Sequence, residues 1–282
     1  MKMQRRSGVT RTNWRGRKMN SETPFKAAVR WAIHNRLLRG KLRTMVLRAA
    51  GGHFDVRVDG VHIRLHPAYN STERALLVRG AHAKAVGLTH VLPSLRAGDV
   101  FVDLGANSGI FTIFAAKRVG PEGRVLAVEP MPEMLENLRF NVCANAFTNV
   151  AIFPTAVGAH AGTATLRVHP KNRGASSLTP YFDGTDIQVP ISTLEGIIAS
   201  AGVDRIDFLK IDIEGFEDRA LVPFIKAVPR RLWPKRIFME TRISNRWEQD
   251  CVRFLINAGY ITVWQDPTDI TLKLQGANEQ PH

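Results

Sequence analysis

The chain has 282 residues, of which 44% are hydrophobic, and a formal net charge of +14 at pH 7. This length fits one large domain with an extension better than two equal domains. Its two cysteines, Cys143 and Cys251, are too few for a disulfide framework and too far apart for a metal knuckle, so we expect reduced thiols in a cytoplasmic protein. No apolar stretch approaches the ~20 residues that a membrane-spanning helix needs.

The positive charge is concentrated in an N-terminal arm. Residues 1–48 contain 14 Lys or Arg and a single acid, Glu22, whereas the remaining residues hold 25 bases and 24 acids. The body of the protein is therefore nearly neutral, and the basicity belongs to the arm. A neutral body disfavours nucleic acid as the partner of this chain.

The arm, residues 1–50, divides into two parts. Residues 1–23 are predicted to be disordered, and the segment from Pro24 to about Ala50 is predicted to be helical because apolar residues recur every four positions. The recurring residues are Phe25, Val29, Ile33 and Leu37, with bases between them. Such a basic helix can contact an anionic membrane surface peripherally. A helix that packs on the body and exposes its charged face to water explains the same pattern.

Residues 51–98 are predicted to form a β-hairpin and a helix that lead into the core. In the hairpin, Asp59 and Gly60 form a primed turn between the strands VRV and VHIRL. Three polar side chains share one face of the second strand, and we interpret that face as exposed to solvent rather than as a metal site. They are His62, Arg64 and His66. Residues 72–96 are predicted to be helical.

Residues 99–282 alternate apolar strands with helices, the pattern of a mostly parallel sheet covered by helices on both faces. The class is therefore α/β. A small hairpin through TATLRV and a loop containing GASSL interrupt the alternation, and a helix is predicted near 192–201. A helix over about 246–257 precedes a terminal pair of strands, YITVW and ITLKL.

A glycine-containing loop follows the first of these strands. It reads D-x-G-x-N-x-G and consists of Asp103, Gly105, Asn107 and Gly109, and we expect Asn107 or Ser108 to cap the next helix. Glycines at these positions let the backbone approach a ligand closely. The carboxylate of Asp103 would repel a diphosphate, but it would attract the sulfonium and ammonium groups of S-adenosylmethionine.

Glu129 ends the second strand of this region, 20 residues after the last glycine of the loop. An acid at that distance from a nucleotide loop accepts hydrogen bonds from ribose hydroxyls. Together, Asp103 and Glu129 predict a pocket for a methyl donor.

The run IDFLKIDIEGFE places three charges at period-two spacing, namely Lys210, Asp212 and Glu214. Period-two spacing puts all three side chains on one face of a strand. A strand buried on both faces does not carry charges in its middle, but open α/β sheets bind ligands beyond the carboxyl ends of their strands. We therefore predict that Asp212 and Glu214 form a wall of the active site.

Taken together, these motifs resemble the FkbM-type methyltransferases over about residues 54–265. The resemblance rests on VFVDLGANSGIFT, VLAVEPMPEMLENLRFNV, NRGASSL and FLKIDIEGFE. It implies a Rossmann-like class I methyltransferase fold with a seven-stranded sheet, S-adenosyl-L-methionine as the cofactor, and O-methylation of a hydroxyl on a sugar, glycolipid or secondary metabolite.

The resemblance also implies roles for individual residues. The donor pocket would be lined by Asp103, Gly105, Asn107, Gly109 and Glu129, and the reaction centre would contain Lys210, Asp212 and Glu214. Ser176 and Ser177 would lie nearby on the inserted loop. Where members of the family often have a Tyr-Glu pair, this chain has His82-Ala83-Lys84.

Transfer to a hydroxyl calls for a base, because an alcohol is a poor nucleophile. We expect Asp212 to be that base, with Glu214 as the second candidate and Lys210 as the partner that keeps both ionised. Glu240 could join the two acids around a divalent ion. The expectation for this enzyme is nevertheless a reaction without a metal.

Three other functions remain open from the sequence. A nucleic-acid methyltransferase would use the basic arm as its anchor. A nicotinamide dehydrogenase is disfavoured by Asp103. A non-catalytic module would bind the donor, or bind a partner through its arm, without transferring a methyl group.

Overall fold

Two helices form the start of the structure, which is a computed structural model that describes residues 23–35, 37–79, 86–179 and 181–276. Helix α1 (Pro24–His34) is capped by the Thr23 hydroxyl, and α2 is Gly40–Ala49. The prediction of one helix over 24–50 was wrong, because Arg39 is extended and Gly40 has a φ of 53°. The expected disorder of residues 1–23 falls, apart from Thr23, outside the described residues.

The predicted hairpin is confirmed. Strands β1 (Phe54–Val58) and β2 (Val61–Leu65) pair antiparallel, and the turn residues Asp59 and Gly60 both have positive φ, as a primed turn requires.

The polar face of β2 is not exposed, which corrects the interpretation from the sequence. The guanidinium of Arg64 lies 3.8 Å from the centre of the Phe140 ring and pairs with Asp55 at 2.7 Å. The backbone N–H groups of His62 and Arg64 donate to Asn145 and Asn141. This face packs on a helix because an aromatic ring of the helix contacts its cation and side-chain amides of the helix accept from its backbone N–H groups.

Two helices and a short turn lead from the hairpin to the central sheet. They are α3 (Ser71–Arg79), α4 (Val86–Val91) and a 3-10 turn (Leu92–Ser94). The helical expectation for residues 72–96 is confirmed over these ranges, and residues 80–85 lie outside the described residues. The departure at His82-Ala83-Lys84 lies outside the described residues.

The rest of the described chain contains ten further strands and five further helices. In chain order the strands are β3 (Val100–Leu104), β4 (Arg124–Val128), β5 (Val150–Phe153), β6 (Ala156–Val157), β7 (Gly162–Val168), β8 (Thr185–Ser192), β9 (Phe208–Ile211), β10 (Arg236–Glu240), β11 (Tyr260–Gln265) and β12 (Asp269–Leu274). The helices are α5 (Ile110–Val119), α6 (Pro132–Ala144), α7 (Leu194–Ala201), α8 (Glu217–Ala227) and α9 (Cys251–Asn257). Helix α9 is shorter than the predicted 246–257.

Seven of these strands form the central sheet, in the spatial order β11-β12-β10-β9-β3-β4-β5. The five strands from β10 to β5 are parallel, and β12 is antiparallel to both of its neighbours. This is the mostly parallel, Rossmann-like sheet that the sequence predicts.

Both faces of the sheet are covered, because side chains alternate along each strand. Val102 and Leu104 of β3 pack with residues of α7, α8 and α9. Phe101, which lies on the opposite face of the sheet, packs with residues of α5. The helices α1 and α2 and the hairpin share one hydrophobic cluster with α5 and α6.

A separate three-stranded sheet has the order β6-β8-β7. The predicted hairpin through TATLRV was therefore incomplete, since β7 pairs with β8 across a 16-residue connection that carries the GASSL loop. Strand β8 has mostly half-buried or exposed residues, so its apolar pattern is weak.

Within the described helices, none combines the length and the apolar character that crossing a membrane would require.

One buried acid ties together the amino ends of three central strands. Asp207 accepts from the backbone N–H of Val100 at 2.8 Å, from Lys235 at 2.7 Å and from Arg205 at 3.0 Å. Burial alone would raise the pKa of Asp207, but Lys235, Val100 and Arg205 together hold it below its ordinary value. The ionised carboxylate therefore contributes to stability.

We expect Asp207→Asn to lower the free energy of unfolding by about 1–2 kcal/mol in urea titrations, because it weakens three hydrogen bonds to one charge. Partial exposure of Lys235 and Arg205 screens the pairs and limits the loss. The matched control, Asp204→Asn, removes an acid that is 90% exposed and should change stability by less than about 0.5 kcal/mol.

The difference between wild type and Asp207→Asn should be complete above pH ~5 and should shrink as the pH falls below ~4, because a carboxylate with a lowered pKa loses its contribution on protonation. A difference that grows at low pH would contradict this assignment.

Candidate active site

The glycine loop lies against the segment that follows β9. A Cβ on Gly105 would sit 1.9 Å from the carbonyl oxygen of Asp212, so only glycine fits this close approach. Helix α5 has Gly109 as its N-cap and no side-chain cap, so the expected capping by Asn107 or Ser108 was wrong. The Asn107 side-chain oxygen instead accepts from Asn70 and from the N–H of Ser108, both at 2.8 Å.

Glu129 lies where the sequence places it, at the end of β4 and beside the loop. Its two oxygens accept from the backbone N–H groups of Asn107 and Met131, each at 2.8 Å. Burial raises the pKa of Glu129 to about 7, and the two N–H groups limit the rise. Each carboxylate oxygen keeps a second lone pair for a hydroxyl in the cleft.

Asp103 and Lys210 form a buried ion pair beneath the loop. They are direct neighbours on β3 and β9, and the Lys210 ammonium lies 3.2 Å from the Asp103 carboxylate. The ammonium also donates to the carbonyls of Leu104 and Gly105, and the Thr112 hydroxyl donates to Asp103 at 2.7 Å. Burial would lower the pKa of Lys210, but the Asp103 carboxylate raises it.

This pairing corrects one expectation. Among the described residues, the ion pair of Lys210 is with Asp103, not with Asp212 and Glu214. The charge of Asp103 is offset within the fold, and its side chain is fully buried. It therefore supports the loop from below.

Three carboxylates meet beyond the ends of β9 and β10. One oxygen from each of Asp212, Glu214 and Glu240 lies within 4.8 Å of the other two. Burial and the negative charge of Asp212 raise the pKa of both Glu214 and Glu240 well above the usual range. Arg242 reaches Glu240 at 2.9 Å and is the nearby cation. The raised pKa of Glu214 is contrary to the expectation that Lys210 keeps this acid ionised.

Glu217, to which the sequence analysis assigned no role, holds the turn that carries these acids. It is fully buried, and it accepts from the N–H groups of Ile213 at 2.9 Å and Gly215 at 3.2 Å. Its other oxygen accepts from the indole of Trp247 at 2.7 Å. Glu217 ends the run IDFLKIDIEGFE but is three residues after Glu214, outside the period-two spacing, so that spacing did not identify it.

The GASSL loop reaches the same turn. The Ser177 hydroxyl donates to the carbonyl of Glu214 at 2.7 Å, and the Tyr181 hydroxyl lies 3.5 Å from the Glu214 carboxylate. Glu214 itself has a φ of 56°, a strained conformation for a residue with a side chain. Neither Tyr181 nor Arg242 was identified from the sequence, because both lie on loops without a local pattern.

Two adjoining clefts lie above these groups. The first encloses about 890 Å³, part of it open to solvent, and its walls include Gly105, Asn107, Glu129, Lys210, Asp212 and Glu214. The second encloses about 960 Å³ and shares Asn107, Asp212 and Glu214 with the first. Asp103 and Gly109 are not among the lining residues of either cleft. Six of the eight predicted site residues thus border one cleft.

Comparison with known proteins identifies the family of this chain. The Methyltransferase FkbM domain matches residues 103–262, more than half of the chain. The 31-O-demethyl-FK506 methyltransferase FkbM of Streptomyces tacrolimicus is 30% identical over 195 residues, which are 59% of this chain and 73% of that protein. Methyltransferase sdnD of Sordaria araneosa is 26% identical over 200 residues, with the same two coverages.

Among solved structures, the methyltransferase FkbM of Methylobacillus flagellatus is similar, with a TM-score of 0.45 and 17% identity. The alignment covers 87% of this chain and 58% of that one. On the extent of the domain match and the identity to the Streptomyces protein, the chain belongs to the FkbM methyltransferase family.

Proposed function

We propose that this methyltransferase binds S-adenosylmethionine in the first cleft and methylates a hydroxyl group of a sugar, glycolipid or secondary metabolite bound in the second. The observation that carries the proposal is that the two clefts meet at Asp212 and Glu214. A methyl donor bound at the glycine loop and an acceptor bound at the acids would then lie next to each other, on either side of Asp212 and Glu214.

The residues of the first cleft fit the donor. Gly105 leaves the backbone open, and Glu129 offers carboxylate oxygens suited to ribose hydroxyls. The negative potential of Asp212 and Glu129 favours a positively charged nucleoside over a diphosphate. When bound, S-adenosylmethionine supplies an electrophilic methyl group.

The second cleft suits a hydroxylated acceptor. Polar side chains on its walls include Tyr181, Arg242, His169 and Thr268, which together offer both donors and acceptors. The Streptomyces relative is named for 31-O-demethyl-FK506, a compound that lacks a methyl group on oxygen. That name supports oxygen as the acceptor atom here.

The acids would remove the proton of the acceptor hydroxyl and orient the acceptor. The carboxylate of Asp212 takes the proton from the hydroxyl, and Glu214, whose pKa is raised, serves as the second candidate or as a donor that orients the acceptor. Lys210 acts indirectly, because its ammonium fixes the carbonyls of Leu104 and Gly105 beside the cleft. Alignment of the acceptor with the methyl group supplies much of the rate enhancement.

The first prediction concerns donor binding. Isothermal calorimetry should show micromolar affinity for S-adenosylmethionine, and Glu129→Ala should weaken it at least about tenfold, because charge-assisted hydrogen bonds to the ribose are lost. The control variant Glu122→Ala removes an exposed acid in the turn before β4 and should leave the affinity unchanged. Absence of binding by the wild type would refute the proposed cofactor.

The second prediction concerns the base. Transfer of a labelled methyl group to extracted glycolipids, polysaccharides or metabolites, followed by mass spectrometry, should fall about 10²–10⁴-fold in Asp212→Asn. Donor affinity should stay within about twofold. If Glu214→Gln loses turnover while Asp212→Asn keeps it, the role of base passes to Glu214. If both variants keep turnover, neither acid is the base. Donor binding without any methyl transfer by the wild type would indicate a module that binds the donor without catalysis.

The third prediction concerns metal dependence. We propose a reaction without a metal, because Arg242 already places a cation against Glu240 and the two glutamates have raised pKa values. Turnover should therefore be unchanged by EDTA. Loss of turnover that Mg²⁺ restores would instead identify Asp212, Glu214 and Glu240 as metal ligands.

A further inference from the structure

Large exposed apolar side chains are concentrated in one stretch of the chain. Of the nine that are exposed among the described residues, five lie in α1, α2 and the segment between them, and we call these five the arm patch. The arm patch consists of Phe25, Trp31, Leu37, Leu42 and Met45, each at least half exposed. An apolar cluster of this kind on a surface marks an interaction site.

The most exposed of these residues face away from the core. Helix α1 buries Val29 and Ile33, and Trp31, two positions from each, is on the opposite side and 62% exposed. Helix α2 buries Leu47, whereas Leu42 and Met45 are 50% and 64% exposed. The spacing of three between Leu42 and Met45 makes them neighbours on the outer side of α2.

The helices that carry the arm patch contain only positive charges. Residues 24–50 hold seven Lys or Arg and no acid. The side chains of Lys41 and Arg48 are exposed beside the patch. Both helices bury their inner residues in one cluster, so the outer side chains belong to the surface of a single helical pair.

We propose that α1 and α2 dock on the surface of an anionic lipid bilayer. The arm patch enters the boundary between headgroups and acyl chains, with Trp31 at the interface, and the bases contact the acidic headgroups. A second copy of the chain is a poorer occupant, because two such surfaces would bring like charges together. RNA is also a poorer occupant, since phosphates would leave Leu42 and Met45 exposed to water.

The test measures cosedimentation of the full-length protein with phosphatidylcholine vesicles that contain or lack phosphatidylserine. Wild type should partition onto the anionic vesicles and detach when salt rises from ~0.1 M to ~1 M, which shortens the Debye length from about 10 Å to about 3 Å. The triple variant Trp31→Ser, Leu42→Ser, Met45→Ser should lower the partition coefficient at least about tenfold.

A matched control removes apolar side chains of similar exposure elsewhere. Ile261 and Val263 on β11 are 42% and 45% exposed, and the variant Ile261→Ser, Val263→Ser should bind vesicles as the wild type does. Thermal unfolding confirms that each variant is folded, and calorimetry with S-adenosylmethionine reports the active site independently.

Equal vesicle binding by the wild type and the triple variant overturns the proposal, because the binding would then come from charge alone. Failure of the wild type to bind anionic vesicles also overturns it. Tight binding of the wild type to a single-stranded RNA oligonucleotide, retained by the triple variant, would also overturn the proposal.

Discussion

The active-site geometry depends on one buried lysine. Lys210 neutralises Asp103 on the neighbouring strand, and its remaining donors reach the carbonyls of Leu104 and Gly105, where β3 turns into the glycine loop. An unpaired charge at this depth would cost several kcal/mol, so the pair must form whenever the sheet does. The loop on one strand and the acids on the next are therefore placed by the same interaction.

The acids beyond β9 show how the fold accommodates like charges at close range. Glu217 satisfies the N–H groups of the turn from beneath, and Arg242 offsets part of the charge from above. The remaining repulsion appears as raised pKa values at Glu214 and Glu240. Groups with shifted pKa values are suited to moving protons near neutral pH, so the repulsion between these acids supports the proton-transfer role proposed for them.

Much of this could be predicted from the sequence, because the signals were local. Short apolar runs, glycines and acids at the ends of strands gave the sheet, the loop and Glu129. The partner of Lys210 could not be predicted, since it depends on the register that sets Lys210 opposite Asp103. Strand β8 was missed because its residues are mostly half-buried or exposed, and the break at Gly40 because apolar periodicity continues through it.

The GASSL loop borders both clefts. Gly174 lies on the wall of each, with Ser176 facing the first and Asn172 facing the second. Through its hydroxyl, Ser177 also fixes the backbone of Glu214. A molecule that displaced this segment in one cleft would therefore also change the wall of the other. By thermodynamic linkage such an influence would run equally in both directions, so the affinities for ligands of the two clefts would be coupled.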